Sequence, residues 1–309
     1  MTTNIQINAV KGIYDTIDPS KNLGRAAEGK VVMITGAGRG IGRAIAEAFT
    51  RASATSLILC ALEESELVET QKIAQKIKPS VRVFLRGLDV RDTTAVETFV
   101  SDAASWANGR IDVLCNNAGI SPPIQDIATS DPMRWWLGLE VNLKGPYLFS
   151  RFVLPIMLEA GGGHIITTAS RAATMTECKM SSYQIGKLGA VRLSELIHNE
   201  YNDRGIKAMA IHPGGIVTQL LTDMERETET WAQGVGKLIR PQLQETISLP
   251  GNACVFLASG RADFLSGRYV DSTIDFDQLV QQREAIVKND LFKVGIAGNW
   301  NKDGGFVTL

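Results

Sequence analysis

The run Val31 to Thr35 passes directly into Gly36-Ala37-Gly38-Arg39-Gly40-Ile41-Gly42 and from there into the helical pattern RAIAEAF. A strand that ends in a glycine-rich turn at the start of a helix leaves little choice of architecture. It opens a βαβ unit, with the helix packed back on a sheet. Such a turn gathers backbone N–H groups and a helix N-terminus at one spot, where a pyrophosphate is stabilised, and missing Cβ atoms let it approach closely. No Gly-Lys-Ser/Thr closes the loop, so it is not a P-loop. A G-x-G-x-x-G reading from Gly36 fails as well, because it puts Ile41 where the third glycine belongs. The spacing that fits is Thr-Gly-x-x-x-Gly-x-Gly, and on its own it is also compatible with a plain strand-to-helix turn.

The rest of the chain repeats the same alternation. Short β-rich runs at Val31 to Thr35, Ser56 to Ala61, Val81 to Leu85, Ile111 to Cys115, His164 to Thr168, Lys207 to Ile211 and Tyr269 to Asp271 are mostly continuous apolar stretches, as strands buried on both faces should be. Helical patterns lie between them at Arg43 to Arg51, Glu64 to Ile77, Thr94 to Trp106, Trp135 to Leu158 and Ser182 to Asn202. This predicts an α/β protein with a doubly wound parallel sheet. We expect one domain over residues 29–275, preceded by an arm of residues 1–28 and followed by an arm of residues 276–309 that begins with a helix from Phe276 to Lys288. Each arm is too short to hold a core of its own.

Charge excludes several classes of partner. The 309 residues carry 32 basic and 33 acidic side chains, a net charge of −1, so no cationic surplus supports general binding to nucleic acid or to an anionic membrane. Cys60, Cys115, Cys178 and Cys254 are scattered, with no C-x-x-C pair, and His164, His198 and His212 are equally dispersed; neither set predicts a metal site, and the thiols read as reduced. The N-terminus lacks a basic region followed by an apolar stretch, and no run of 18 apolar residues occurs. The expectation is a cytoplasmic protein.

Beyond the glycine loop, the chain carries Asp89-Val90, Asn116-Asn117-Ala118-Gly119, Asn142, Ser170, Tyr183-x-x-x-Lys187 and Pro213-Gly214 in that order. With Thr35-Gly36-x-x-x-Gly40-x-Gly42, this series resembles the short-chain dehydrogenase/reductase superfamily over about 240 residues, and the arms resemble those of fungal members that tailor secondary metabolites. The resemblance implies a Rossmann-type fold and a nicotinamide cofactor. It places Gly36, Arg39, Gly40, Ile41 and Gly42 at the pyrophosphate, and Asp89 and Val90 at adenine. Asn116, Ala118 and Gly119 fall beside the adenosine ribose, and Pro213, Gly214, Ile216 and Thr218 at the nicotinamide carboxamide. Asn116 and Asn117 could equally brace the sheet.

Which dinucleotide is bound usually depends on the end of the second strand, where a carboxylate hydrogen-bonds the ribose 2′-OH and repels a 2′-phosphate. Here Ala61 and Leu62 occupy that place. Basic residues at the position of Arg39 contact the 2′-phosphate in NADP-dependent relatives, so the resemblance favours NADP(H). NAD(H) is the alternative, which Glu63 or Glu64 would favour by reaching the diol.

Tyr183 and Lys187 are four apart in a segment that reads as a helix capped by Ser181 or Ser182, a spacing that puts both on one face. A lysine ammonium beside a phenol favours phenolate. The resemblance makes Tyr183 the acid/base, Ser170 the group that positions the substrate oxygen, Lys187 the partner of tyrosine and nicotinamide ribose, and Asn142 the support of a helix irregularity and a proton-supplying water. The reaction implied is hydride transfer between a ketone or aldehyde and an alcohol. Net non-redox work on the same scaffold (epimerisation, dehydration or cyclisation) and cofactor binding without turnover are the other readings.

Substrate choice should lie in Ile120 to Asp126, Arg171 to Met180 and a lid over residues 219–244 that carries Leu220, Leu221, Met224, Trp231 and Leu238. These apolar side chains suit a medium-sized, partly apolar carbonyl or alcohol. Arg171 is a possible carboxylate ligand that directly follows Ser170. A homodimer or homotetramer is expected, built largely through the helices around Tyr183.

Overall fold

The computed structural model describes residues 5–121, 124–177, 179–226, 237 and 239–295. Strand β1 (Val31–Thr35) is buried along its whole length, as is β2 (Ser56–Ala61). Both carry unbroken apolar runs because helices cover both faces of the sheet. With β3 (Arg82–Gly87), β4 (Val113–Asn116), β5 (Gly163–Thr168), β6 (Ile206–His212) and β7 (Tyr269–Asp271) they form one sheet in the order β3-β2-β1-β4-β5-β6-β7. Every pairing is parallel. This is a Rossmann-type, doubly wound single domain.

Alternation along each strand divides the core. Ile34, Leu57 and Leu59 face one layer, where they meet Ile45 and Phe49 of α1 (Gly40–Arg51) and Leu249 and Phe256 of α8 (Ser248–Leu257). Met33, Ile58 and Leu114 face the other, against Phe99 of α3 (Thr93–Trp106), Phe149 of α5 (Gly145–Glu159) and Ile197 of α6 (Ser181–Tyr201). Helix α2 (Glu64–Ile77) joins the first layer through Leu67 and Ala74. The strand order reverses between β1 and β4, and in such sheets the crevice outside the carboxyl ends at this point is the usual ligand position.

The arms extend the first layer. Val10 N–H donates to Thr273 O at 2.7 Å, Phe276 N–H donates to the Tyr14 hydroxyl oxygen at 2.7 Å, and Ala9 bridges Ile274. Phe276 then stacks on Phe256 with ring centroids 5.1 Å apart. The helix expected from Phe276 to Lys288 is in fact two, α9 (Phe276–Gln281) and α10 (Arg283–Lys288), separated at Gln282 where ψ has risen to 9°. The single helix expected from Trp135 to Leu158 likewise divides. α4 (Pro132–Leu139) and α5 are joined by a π-helical turn over Glu140–Lys144, with helical backbone on either side. Residues 1–4 and 296–309, with Cys178, Trp231 and Leu238 of the sequence expectations, lie outside the described residues. Among the described residues no helix is long and apolar enough to cross a membrane.

Candidate active site

The glycine loop leaves β1 at the crevice. A Cβ on Gly42 would lie 2.0 Å from Gly36 O, so this helix can begin against the strand end only without a side chain there. Gly40 has φ +55°, and nothing lies within 4 Å of where its Cβ would be; the loop presents bare backbone to open space, as close approach of a phosphate requires. Arg39 occupies the N-cap position with extended backbone, and Ile41 tucks its side chain against the first core layer. Two residues that sequence reasoning passed over brace the loop from below. Arg43 Nε donates to Thr70 Oγ1 at 3.1 Å, and Thr70 Oγ1 donates to Ala37 O at 2.9 Å. The only sequence signal for this brace was the arginine inside the first helical turn.

Across the switch point, Thr35 Oγ1 accepts from Asn117 N–H and Ala118 N–H, both at 3.0 Å, and Asn117 Nδ2 donates to Thr35 O at 3.1 Å. Asn117 therefore laces β4 to the glycine loop. Asn116 turns inward: its Nδ2 donates to Ser150 Oγ at 3.1 Å, and its Oδ1 is buried without a partner. Of the two roles open for Asn116, the side chain takes the bracing one, which leaves only its backbone for the crevice. Asp89 is held by Arg91, with Nη2 to Oδ2 at 2.6 Å, and this pairing keeps its carboxyl below the usual aspartate range. Val90 packs against Gly145 at the start of α5.

The four candidate catalytic side chains converge. Ser170 lies two residues beyond β5 and caps a 3-10 turn over Arg171–Ala173, where its Oγ accepts from Ala172 N–H at 3.2 Å. Lys187 is 4% exposed and donates to Thr168 O at 2.8 Å, with Nζ 5.8 Å from the centre of the Tyr183 ring. Asn142 sits inside the π turn, where its Nδ2 donates to Ile120 O at 2.9 Å and its Oδ1 accepts from Ile120 N–H at 3.3 Å. A Cβ on Gly119 would lie 2.9 Å from Asn142 Oδ1 and 3.2 Å from Lys187 Nζ. The Gly119 backbone is thus packed directly against both groups, with no room for a side chain.

Electrostatics differ from the simplest expectation. Burial pushes the Tyr183 phenol above its ordinary value, and the Ser170 hydroxyl beside it works in the opposite direction but less strongly. Burial also lowers Lys187 to about 8. Burial disfavours the charged form of both groups, phenolate for Tyr183 and ammonium for Lys187. The expected serine caps of α6 are not formed either: Ser181 Oγ accepts from Trp135 Nε1 at 2.9 Å, while Ser182 Oγ donates to Trp135 O. Both hydroxyls pin α6, which carries Tyr183 and Lys187, to α4.

At the outer end of the loop, Arg39 is 58% exposed and donates to Glu66 Oε1 at 3.1 Å. Leu62 projects into solvent, and Glu64 Oε2 accepts from Gly87 N–H at 2.9 Å. The segments expected to form the substrate wall meet in an apolar contact among Ile124, Met180 and Ile239. Arg171 turns towards β7, with its backbone N–H on His212 Nδ1 at 3.1 Å and its guanidinium 3.8 Å from Asp271 Oδ2. On the far side, Pro213, Gly214 and Ile216 are buried after β6, and Thr218 O accepts from Leu221 N–H at 3.1 Å at the start of α7 (Gln219–Arg226).

The family model described as short chain dehydrogenase matches residues 30–229. The chain belongs to the short-chain dehydrogenases. It is 36% identical to the short chain dehydrogenase mpl6 of Monascus purpureus over 91% of this chain and 92% of that one. With pigC of Monascus ruber it is 35% identical over 91% and 90%. Among solved structures, levodione reductase superposes with a TM-score of 0.73 at 27% identity, covering 79% of this chain and 96% of the other. A 7α-hydroxysteroid dehydrogenase in complex with NADH and 7-oxo glycochenodeoxycholic acid gives 0.71 at 25% identity, covering 84% and 97%. The chain is thus an oxidoreductase of the short-chain dehydrogenase family.

Proposed function

We propose that this chain is an NADP(H)-dependent oxidoreductase that interconverts a carbonyl and an alcohol on a medium-sized, partly apolar metabolite. The observation that carries the reading is the meeting of Ser170, Tyr183, Lys187 and Asn142 at the carboxyl edge of the sheet, next to the bare-backbone loop at Gly40. When bound, the nicotinamide supplies or accepts the hydride. The loop around Gly36, Gly40, Ile41 and Gly42 would hold the pyrophosphate, and Asp89, Val90, Asn116, Ala118 and Gly119 would lie along the adenosine. Pro213, Gly214, Ile216 and Thr218 would border the nicotinamide end.

The chain's own residues then move one proton. Ser170 Oγ orients the substrate carbonyl oxygen, and the protonated Tyr183 hydroxyl donates to that oxygen during reduction; alcohol oxidation takes the reverse path. Lys187, its ammonium held on Thr168 O, favours the resulting phenolate, and Asn142, which meets the same Gly119 backbone as Lys187, supports proton return. Tyr183→Phe keeps the ring and removes the proton. It should bind NADPH as the wild type does and lose nearly all turnover, by more than about a hundredfold. A Tyr183→Phe chain that retained most of its turnover would overturn the assignment.

NADP(H) is supported by the outer end of the loop. Ala61 and not a carboxylate ends β2, Glu64 is engaged with Gly87, and the exposed Arg39 guanidinium would exchange its bond to Glu66 for the 2′-phosphate; the exposed Glu63 is the group that would favour NAD(H). Arg39→Ala should weaken NADPH binding about tenfold and leave NADH binding nearly unchanged, consistent with loss of one charge-assisted bond. Equal losses for both cofactors would argue for NAD(H). The apolar meeting of Ile124, Met180 and Ile239 supports a substrate with apolar surface of the kind met in secondary metabolism. Homo-oligomer formation is supported by Trp136, Tyr147, Ile185, Leu188 and Leu196, all exposed on α4, α5 and α6. Sedimentation of wild type against Leu188→Glu tests it.

A further inference from the structure

The turn that follows β6 is held by two neighbours, and both are gripped by the N-terminal arm. Gly214 has φ +98°, and a Cβ there would lie 3.3 Å from Glu245 Cβ and 3.3 Å from Thr273 Cγ2. Gly215 N–H donates to Glu245 Oε2 at 2.9 Å, and Glu245 N–H donates back to Gly215 O at 3.3 Å. The carboxylate and the backbone of one residue thus fix both sides of Gly215. The supports are themselves anchored by two consecutive residues far away in sequence. Val10 N–H donates to Thr273 O at 2.7 Å, and Lys11 O accepts from Thr246 N–H at 2.9 Å. Lys11 Nζ adds a bond to Gln244 Oε1 at 2.6 Å.

We propose that Glu245 is a positioning residue for the nicotinamide-side turn Pro213–Gly215, and that the N-terminal arm is a working part of the active site because Val10 and Lys11 clamp the two segments that hold this turn. The proposal rests on the reading that Pro213, Gly214, Ile216 and Thr218 border the bound cofactor. A loop that must adopt a positive-φ backbone next to a ligand gains preorganisation when both of its flanks are tied to the same short segment. Among the described residues the hydrogen bonds of Glu245 run to Gly215 and not to Ser170 or the glycine loop, so its effect should fall on cofactor affinity and leave the chemical step alone.

The test uses the full-length chain and follows NADPH binding by its fluorescence, with thermal unfolding and steady-state kinetics alongside. Glu245→Ala removes the acceptor of the Gly215 N–H and should raise the NADPH Kd about tenfold. Under saturating cofactor, kcat and the pH profile should stay at wild-type values. Glu245→Gln keeps a carbonyl oxygen in place and should restore Kd to within about threefold of wild type. Val10→Pro deletes the N–H that Thr273 accepts and should also raise the NADPH Kd, although residue 10 lies outside the glycine loop and the catalytic group. If Glu245→Ala and Val10→Pro lower the melting temperature yet leave the NADPH Kd unchanged, both are merely structural and the proposal fails. A wild-type chain that binds neither NADPH nor NADH overturns the underlying reading, and this proposal with it.

Discussion

Lys187 provides a stability measurement with a sign fixed in advance. Its ammonium is 4% exposed, and burial lowers it from the ordinary 10.5 to about 8. The unfolded chain therefore holds the proton more tightly than the folded one. Below about pH 8 both states are protonated, and the folded state carries the whole cost of the buried charge, about 3 kcal/mol at ~1.36 kcal/mol per pH unit. Between about pH 8 and 10.5 the unfolded state keeps a proton that the folded state has released, so stability rises with pH. Above 10.5 the cost is gone. To isolate this group, Tyr183→Phe is compared with Tyr183→Phe/Lys187→Met by denaturant unfolding at pH 7.5 and pH 9.5. Cys60 and Cys115, which burial pushes upward, contribute alike to both chains and cancel. The lysine chain should gain about 2 kcal/mol relative to the methionine chain over that range. A difference that stays flat, or one that favours methionine as pH rises, would refute the claim that desolvation governs this lysine.

Three further outcomes follow from the geometry. Gly42→Ala places a Cβ 2.0 Å from Gly36 O; it should cost on the order of 1–3 kcal/mol in unfolding free energy and abolish NADPH binding measured by fluorescence. Gly119→Ala intrudes between Asn142 Oδ1 at 2.9 Å and Lys187 Nζ at 3.2 Å, and kcat should drop by at least about tenfold from a displacement of this size at the reacting groups. Asp131 caps α4 by accepting from Met133 N–H at 2.8 Å and Arg134 N–H at 3.3 Å, so Asp131→Ala should lower unfolding free energy by about 1 kcal/mol, read by urea titration.

Local chemistry along the chain determined a good deal. The strand-to-helix passage at Thr35-Gly36, the apolar runs and the four-residue spacing of Tyr183 and Lys187 depend on backbone geometry and on burial of neighbouring residues, so the parallel sheet and the order of the candidate site residues along it were legible before any contact was known. Tertiary packing decided what each group does. Asn116 is spent on Ser150, and the serines at the start of α6 are spent on Trp135 in place of capping. Tyr183 is raised because desolvation depends on everything packed around a group and not on its sequence neighbours. The Asn142–Ile120 pair, the Thr70–Arg43 brace and the clamp from Val10 and Lys11 to Thr273 and Thr246 all join residues distant in the chain. A sequence displays propensity and spacing, which are local. Which hydrogen bonds are made, and at what cost in lost solvation, is fixed only when the folded chain brings remote segments to within about 3 Å of one another.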